Sequence, residues 1–436
     1  MSLTNALFSS VSGLETASTQ ISVIGDNIAN ASTPGFKEKR AEFSTVLNQS
    51  ISAGQGFSRI GAGVLTDSIS TLFTQGVFEN TQRPTDLGIS GRGFFVMEGT
   101  FGRSYTRSGM FGFDSQGFLI DSSNRRLQGY GIDEASGTSN GVLGDIQVRL
   151  PLSPPQMTTR IDLSMNLDSE ETVPAITPFD PANPETTSNV REVVTIFDSL
   201  GTARQATIFF SKTAANQWDY NVALSAEDAG TDDIPGSPRF VVQTGGSGTL
   251  NFGADGTMQG FTGGAVNFDF DPDAGVVAAQ PVSFSMGPYP GGPNEGVAST
   301  QVVGDTTTNA ASQNGYASGT LSALDIDENG RLNGVFTNGV TSSLAQIALA
   351  NFGNVEGLTE IGSSQVIESV NSGPPILAAA NTGNVGTIRS SSLEKSNVDL
   401  AQQFVNLIVS QRAFQANTRT VSVANELMAN LVSLGQ

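Results

Sequence analysis

Apolar side chains recur at heptad spacing near both ends of this chain and at period two between them, and the two periods predict different elements. At the N-terminus Leu3, Leu7, Leu14, Ala17, Ile21, Ile24 and Ile28 fall on alternating three- and four-residue steps, broken only by Ser10. Toward the other end Leu400, Phe404, Leu407, Phe414, Val421, Met428 and Val432 repeat the pattern, interrupted by Gln411, Thr418 and Asn425. Sustained heptads predict helices that pack along one another, with polar seam residues fixing register. Between Met1 and Thr33 the only charged side chains are Glu15 and Asp26. A helix so poor in Lys and Glu lacks the charged outer face of an ordinary surface helix. The pattern therefore predicts terminal helices made to be covered by other subunits and fully ordered only on assembly. A plain helical hairpin capping a domain is the simpler reading, and it leaves the missing charge unexplained.

Inside the helices the signal changes. Pro34 disfavours helical geometry at Thr33, and Gly35 permits a sharp turn, so the first helix stops there. Residues 38 to 75 alternate weakly and contain Gly54, Gly56, Gly61 and Gly63, which predicts an extended connector with a short hairpin. From about 76 strands dominate. Gly93-Phe94-Phe95-Val96-Met97 reads as a buried strand, and Met110–Phe113 and Phe118–Asp121 flank the turn Asp114-Ser115-Gln116-Gly117. Leu150-Pro151-Leu152-Ser153-Pro154-Pro155 interrupts any sheet. Beyond it Val193–Phe197 and Ala206–Phe210, the alternation of Trp218, Tyr220 and Val222, and that of Val266, Phe268 and Phe270 predict a second β unit. Gly- and Pro-rich text from Gly287 to Gly296 marks the return, and Asn338-Gly339 predicts a further hairpin.

The expected fold is mainly β with terminal α-helices: a coiled-coil module formed by the two ends, plus two nested β-rich domains. The expected division is 1–32 and 393–436 for the helical domain, 33–75 and 370–392 for an extended connector, 76–145 and 286–369 for a middle β domain, and 146–285 for an inserted outer β domain.

Composition narrows the function. The chain has 436 residues and a net charge of −20, with a pI near 4.3. That balance argues against nucleic acid or anionic membranes as partners. No apolar run approaches the roughly 18 residues needed to span a bilayer, so no membrane insertion is expected. There are no cysteines and no histidines, which excludes disulfides, thiolate and imidazole catalysis and most zinc or copper sites. No ordinary secretory signal is visible at the N-terminus.

Several motifs suggest chemistry and are better read as turns. Asp269-Phe270-Asp271-Pro272-Asp273-Ala274-Gly275 begins like a calcium loop, but Gln280 stands where the closing glutamate belongs. Asp325-Ile326-Asp327-Glu328-Asn329-Gly330 has the same look, with Phe336 in that place. Gly91-Arg92-Gly93 is a fragment of a dinucleotide fingerprint without its third glycine or a βαβ setting. The pairs Glu170-Glu171 and Asp232-Asp233 sit in polar, loop-like text with no nucleophile or base in view. No catalytic, cofactor or metal residue is expected, and the protein is expected not to be an enzyme. Asn27, Asn30, Gln411 and Asn425 serve either as caps and solvated positions or as amide bridges to neighbouring subunits.

Three stretches carry a family resemblance. Asn27-Ile28-Ala29-Asn30-Ala31-Ser32-Thr33-Pro34-Gly35-Phe36-Lys37 resembles the consensus after the first helix of the bacterial flagellar axial proteins of rod and hook. The run from Asp399 through Gln411-Arg412-Ala413-Phe414-Gln415-Ala416-Asn417 to Asn425-Glu426-Leu427 is similar to their closing helix. Gly91-Arg92-Gly93-Phe94-Phe95-Val96, Tyr105-Thr106-Arg107-Ser108-Gly109 and Gly117-Phe118-Leu119 resemble their shared central block. The insertion from about 145 to 285, with Phe197-Asp198-Ser199-Leu200-Gly201 and Trp218-Asp219-Tyr220, looks like the outer domain of hook members. Rod members are shorter and lack it.

The resemblance implies a structural subunit of a tubular homopolymer, with helices lining the tube and β domains forming its wall. It implies a flexible joint that transmits motor torque from rod to filament. Implied partners are other copies of the chain, rod and hook–filament junction proteins at the two ends, and the hook cap and export apparatus or chaperone transiently. It implies an extracellular place on the flagellum, reached through type III export without a cleaved signal, and no cofactor. Some family members crosslink subunits through a cysteine and a lysine, a route closed here. A distal rod subunit, a junction protein and a secreted β-rich adhesin remain as alternatives, the last leaving the paired heptads unexplained.

Overall fold

The structure, a computed structural model, describes residues 3–53, 56–100, 102–133, 137–148, 152–231, 238–289 and 297–434. The side chains of Leu3 and Val432, and the residues Leu150, Pro151, Asp232, Asp233 and 290–296, lie outside that description. The chain forms two compact units. One holds residues 1–150, 322–335 and 341–436, and the other holds 151–321 and 336–340.

In the first unit a helix spans Leu3–Ala29 and a second spans Leu400–Leu434, and the two lie against each other. The first helix ends in tightening turns, with the Thr33 N–H donating to Asn30 O at 3.0 Å and Phe36 to Thr33 O at 3.3 Å. The chain then forms an antiparallel hairpin of Lys39–Ala53 and Gly56–Thr71, far longer than the short one expected from the weak alternation. Its register shifts at Glu42/Phe43, Thr45/Leu47 and Leu47/Gln49, and those bulges blur the period-two signal. The hairpin packs on the first helix, where the Ser12 hydroxyl accepts from the Val64 N–H at 3.2 Å.

The β body of this unit is one sheet. It runs from Arg331–Phe336 through Thr341–Asn351, Arg126–Ile132, Phe94–Gly99, Gly102–Thr106 and Gln365–Ile367 to Thr359–Gly362. Its core holds Phe94, Val96, Tyr105, Ala350, Phe352 and Val366. Phe352 meets Phe94 and Tyr105 edge-on, at 5.9 and 4.9 Å between ring centres, the arrangement that ring quadrupoles favour. The Gly/Ser-rich text before the last helix is not a bare connector. Ile376–Ala379 pairs with Thr341–Asn351, Thr387–Ser390 with Leu87–Ser90, and Ser392–Glu394 with Phe78–Asn80. Those strands are only three or four residues long, too short for a period to show.

The second unit is mostly β, with a short helix at Pro184–Thr187. Its strands run in the order Val190–Phe197, Ala203–Ala214, Gln217–Ser225, Phe240–Phe252, Ala265–Phe268, Gln280–Ser285, Arg160–Asn166 and Thr307–Gln313. Trp218, Tyr220, Val222, Val266, Phe268 and Phe270 all face its buried core, as their alternation predicts. The sequence places the return from this unit at 286, whereas the contacts keep 286–321 within it. The reason is long-range: Thr307–Gln313 pairs antiparallel with Arg160–Asn166, a match that no local pattern announces.

The turn readings fit the geometry. Asp271 accepts from the Asp273 N–H and Gly275 takes φ +68°. Asp327 accepts from the N–H groups of Asn329 and Arg331 at 2.9 and 2.8 Å, with Gly330 at φ +72°. Carboxylates spent on their own backbone in this way close turns.

Candidate functional site

The helix pair is held by a seam of small and polar residues. On the first helix Ser10, Ala17, Ile24 and Asn27 are buried, and on the last Gln403, Ser410 and Ala424 are. Between these, Gly13 faces Asn417 so closely that a Cβ on Gly13 would sit 2.6 Å from the Asn417 amide nitrogen. Small side chains let two helices approach closely, because interaxial distance follows the residues at the contact.

The structure places the heptad residues of the two helices differently. On the first helix the row 10–17–24 is inside, including Ser10, which the apolar pattern treats as a break. Leu7, Leu14, Ile21 and Ile28 are half-buried beside it. On the last helix the buried row is 403–410–(417)–424, one residue before the expected 404–411–418–425 and about 100° round the helix. Leu407 and Val421 flank the seam, half-buried. Leu400, Phe404, Phe414 and Met428 stay exposed, at 45, 51, 39 and 45%. Val405, Ile408, Val409, Val423 and Leu427 are exposed alongside them, as are Phe8 and Val11 on the first helix. Gln411, Thr418 and Asn425 also face outward. Large apolar side chains left exposed in this number are unusual on a helix facing water.

At the base of the pair the motif after the first helix becomes a joint. Asn27 donates to Lys39 O at 2.8 Å and accepts from the Lys39 N–H at 2.9 Å, and it reaches Gln403 Oε1 at 3.4 Å. Gln403 in turn donates to Glu38 Oε1 at 2.8 Å. Asn30 caps back onto Asp26, and Thr33 donates to the Asn30 side chain. Past Pro34, Gly35 takes φ +72° with a Cβ position 2.5 Å from the Ser108 backbone nitrogen, so only glycine fits. Phe36 lies under the Lys39 ammonium at 5.7 Å. Lys39 itself bridges Asp26 and Glu360 at 3.2 and 2.7 Å. Those two partners outweigh its burial and raise its pKa.

Lys37 ends the motif in a buried ion cluster. Its ammonium donates to Glu394 Oε1 at 2.6 Å and Thr74 O at 2.7 Å. Glu394, 1% exposed, also accepts from the Gly76 N–H at 2.8 Å and from Arg107 Nη1 at 3.3 Å. Arg107 donates further to Gly91 O at 2.9 Å and lies over the Phe94 ring at 5.3 Å. Burial pulls the pKa values of Lys37 and Arg107 down, and Glu394 pulls both back. The cluster ties the end of the first helix and the start of the last to the same strands. The sequence motifs contain Lys37 and Arg107 but not Glu394, which no local pattern distinguishes from a surface acid.

The fold thus presents a helix pair with exposed apolar side chains, clamped at its base to a β body by buried charges, and comparisons with known proteins place it in the flagellar axial class. Four family models match in chain order: Flagella basal body rod protein over 7–37, Flagellar hook protein FlgE/F/G D1 domain over 88–166, Flagellar basal body protein FlaE D2 domain over 166–316, and Flagellar basal body rod FlgEFG protein C-terminal over 389–434. The flagellar hook protein FlgE of Escherichia coli K12 is 33% identical over 432 residues, covering 98% of this chain and 100% of that one. That of Salmonella typhimurium LT2 is 33% identical over 427 residues, covering 97% and 98%. That of Borreliella burgdorferi is 32% identical over 460, covering 98% and 99%. The crystal structure of Helicobacter pylori flagellar hook protein FlgE2 shares the fold, with a TM-score of 0.51 at 15% identity over 73% of this chain and all of that one. The chain belongs to the flagellar hook protein family and is a structural subunit of the hook. Among the described residues no helix is long and apolar enough to cross a membrane.

Proposed function

We infer that copies of this chain polymerise through the exposed faces of their terminal helices, forming a hook that bends while carrying torque. One observation supports this above the rest: the seam within the chain is closed by Ser10, Gly13, Ala17, Gln403, Ser410 and Ala424, while the larger apolar residues of the last helix face outward. Burying a Phe or Leu against a neighbour is worth about 1.5–3 kcal/mol, and repetition along a polymer multiplies that gain. Packed helices resist twist because close-packed interiors transmit strain. The polar, acidic β units make weaker contacts that slide as the hook bends. Rod and hook–filament junction proteins meet the two ends, and a cap and the export apparatus act transiently. The subunit acts outside the cell on the basal body, exported without cleavage, and performs no catalysis.

Replacing Phe404 or Phe414 with Asp tests this, because both side chains are exposed in the single chain and a charge there leaves its fold intact. Sedimentation and negative-stain microscopy should show folded monomers and no tubes. Normal tubes from both variants would overturn the reading.

A further inference from the structure

The second unit carries a cleft that plays no part in the helix faces above. Its floor is the outer face of three strands, Ala203–Ala214, Gln217–Ser225 and Phe240–Phe252, where Ser211 pairs with Asp219 and Asp219 with Thr249. Tyr220, one residue on, points the opposite way into the core. Thr177, Pro178 and Phe179 form one wall, and Phe179 is seated against Phe209 at 5.1 Å. The cleft encloses 370 Å³, within the range of small-molecule sites.

Two side chains on its floor have unspent hydrogen-bonding capacity. The Asp219 carboxylate takes no hydrogen bond or ion pair among the described residues, and burial alone raises its pKa. Asn221 spends its Oδ1 on the Ser247 hydroxyl at 2.7 Å, which leaves its amide nitrogen as a donor. The strand sets these two groups on one face, roughly 7 Å apart. Asp219 is the one carboxylate among the cleft's described lining residues, and hydroxyl-bearing Thr213 and Thr249 stand nearby.

We propose that this cleft binds a neutral oligosaccharide. A sugar hydroxyl both donates and accepts, so neighbouring hydroxyls satisfy a carboxylate that only accepts and an amide that donates. The apolar face of a pyranose ring, made of C–H groups, fits Pro178 and Phe179. An ammonium would satisfy the carboxylate but, having no acceptor, would leave the Asn221 amide donor unmatched.

Calorimetric titration and saturation-transfer NMR of the full chain with maltose, cellobiose, lactose and N,N′-diacetylchitobiose test the assignment, with ethylamine as the cationic control. At least one disaccharide should saturate the site in the millimolar range. Asp219→Ala should weaken it at least about tenfold, the scale of one hydrogen bond to a charged group, and Asn221→Ala should weaken it as well. Phe404→Asp should leave it unchanged, which separates sugar binding from assembly. The fluorescence of Trp218, buried beneath this sheet, checks that each variant is folded. If Asp219→Ala fails that check, Asp219→Asn takes its place with a several-fold loss expected. No saturation by any of the four sugars, unchanged affinity in the folded Asp219 variant, or preference for ethylamine would each overturn the proposal.

Discussion

Glu394 gathers a lysine, an arginine and a backbone amide around one carboxylate, and its neutral amide would leave Lys37 and Arg107 buried with nothing to balance them. Breaking a buried pair by removing one partner costs about 3–5 kcal/mol, so Glu394→Gln should lower the unfolding free energy of the first unit, measured by urea titration, by that amount. The double variant Lys37→Met/Glu394→Gln should recover part of the loss, since one of the stranded charges is gone. A single-variant loss below about 1 kcal/mol, the surface-pair range, would show the cluster to be ornamental to stability. The same residue marks the limit of reading by eye. Lys37 and Gly35 stand in a motif and can be named from sequence, but the partner of Lys37 lies 357 positions away. Only the meeting of Phe78–Asn80 with Ser392–Glu394 brings it there.

At the scale of elements, counting apolar residues found both long helices and then rotated one of them. The count pairs the apolar row 400–407–414–421–428 with 404–411–418–425, a row that Phe404 opens and Gln411, Thr418 and Asn425 continue. The seam follows 403–410–417–424, because close approach selects Gln, Ser, Asn and Ala. Period identified the element, and side-chain volume decided its face. The short strands after 362 escaped for the opposite reason, being too brief to carry any period. The open helix face has a direct consequence. Arg412 and Arg419 are the only basic residues on the last helix, both exposed, so trypsin should nick the monomer there and leave the β units intact. In assembled tubes both sites should resist, because neighbouring copies cover this helix. Equal cleavage rates in monomer and tube would place the assembly surface elsewhere.

At the scale of the whole molecule, each unit contains a tyrosine whose phenol is held un-ionised, and alkaline pH should find both. Burial pushes Tyr105 from 10.0 up to about 12, helped by the Glu368 carboxylate and opposed by Arg103. Burial also pushes Tyr220 up to about 12, and its hydroxyl donates to Thr262 O at 3.0 Å. A phenol whose folded pKa exceeds its unfolded one binds its proton more tightly in the native state. Its contribution to stability is complete below pH 10 and is lost as pH rises toward about 12. Tyr105 sits in the first unit and Tyr220 in the second, so both units should lose stability over that window. Absorbance titration of the five tyrosines should show a late step that shrinks by one phenol in Tyr105→Phe and by one in Tyr220→Phe. Each variant should also flatten the alkaline fall in stability of its own unit. Ionisation of all five phenols together near pH 10, with no late step, would mean that neither ring is shielded as the packing of Phe352 and Phe261 around them requires.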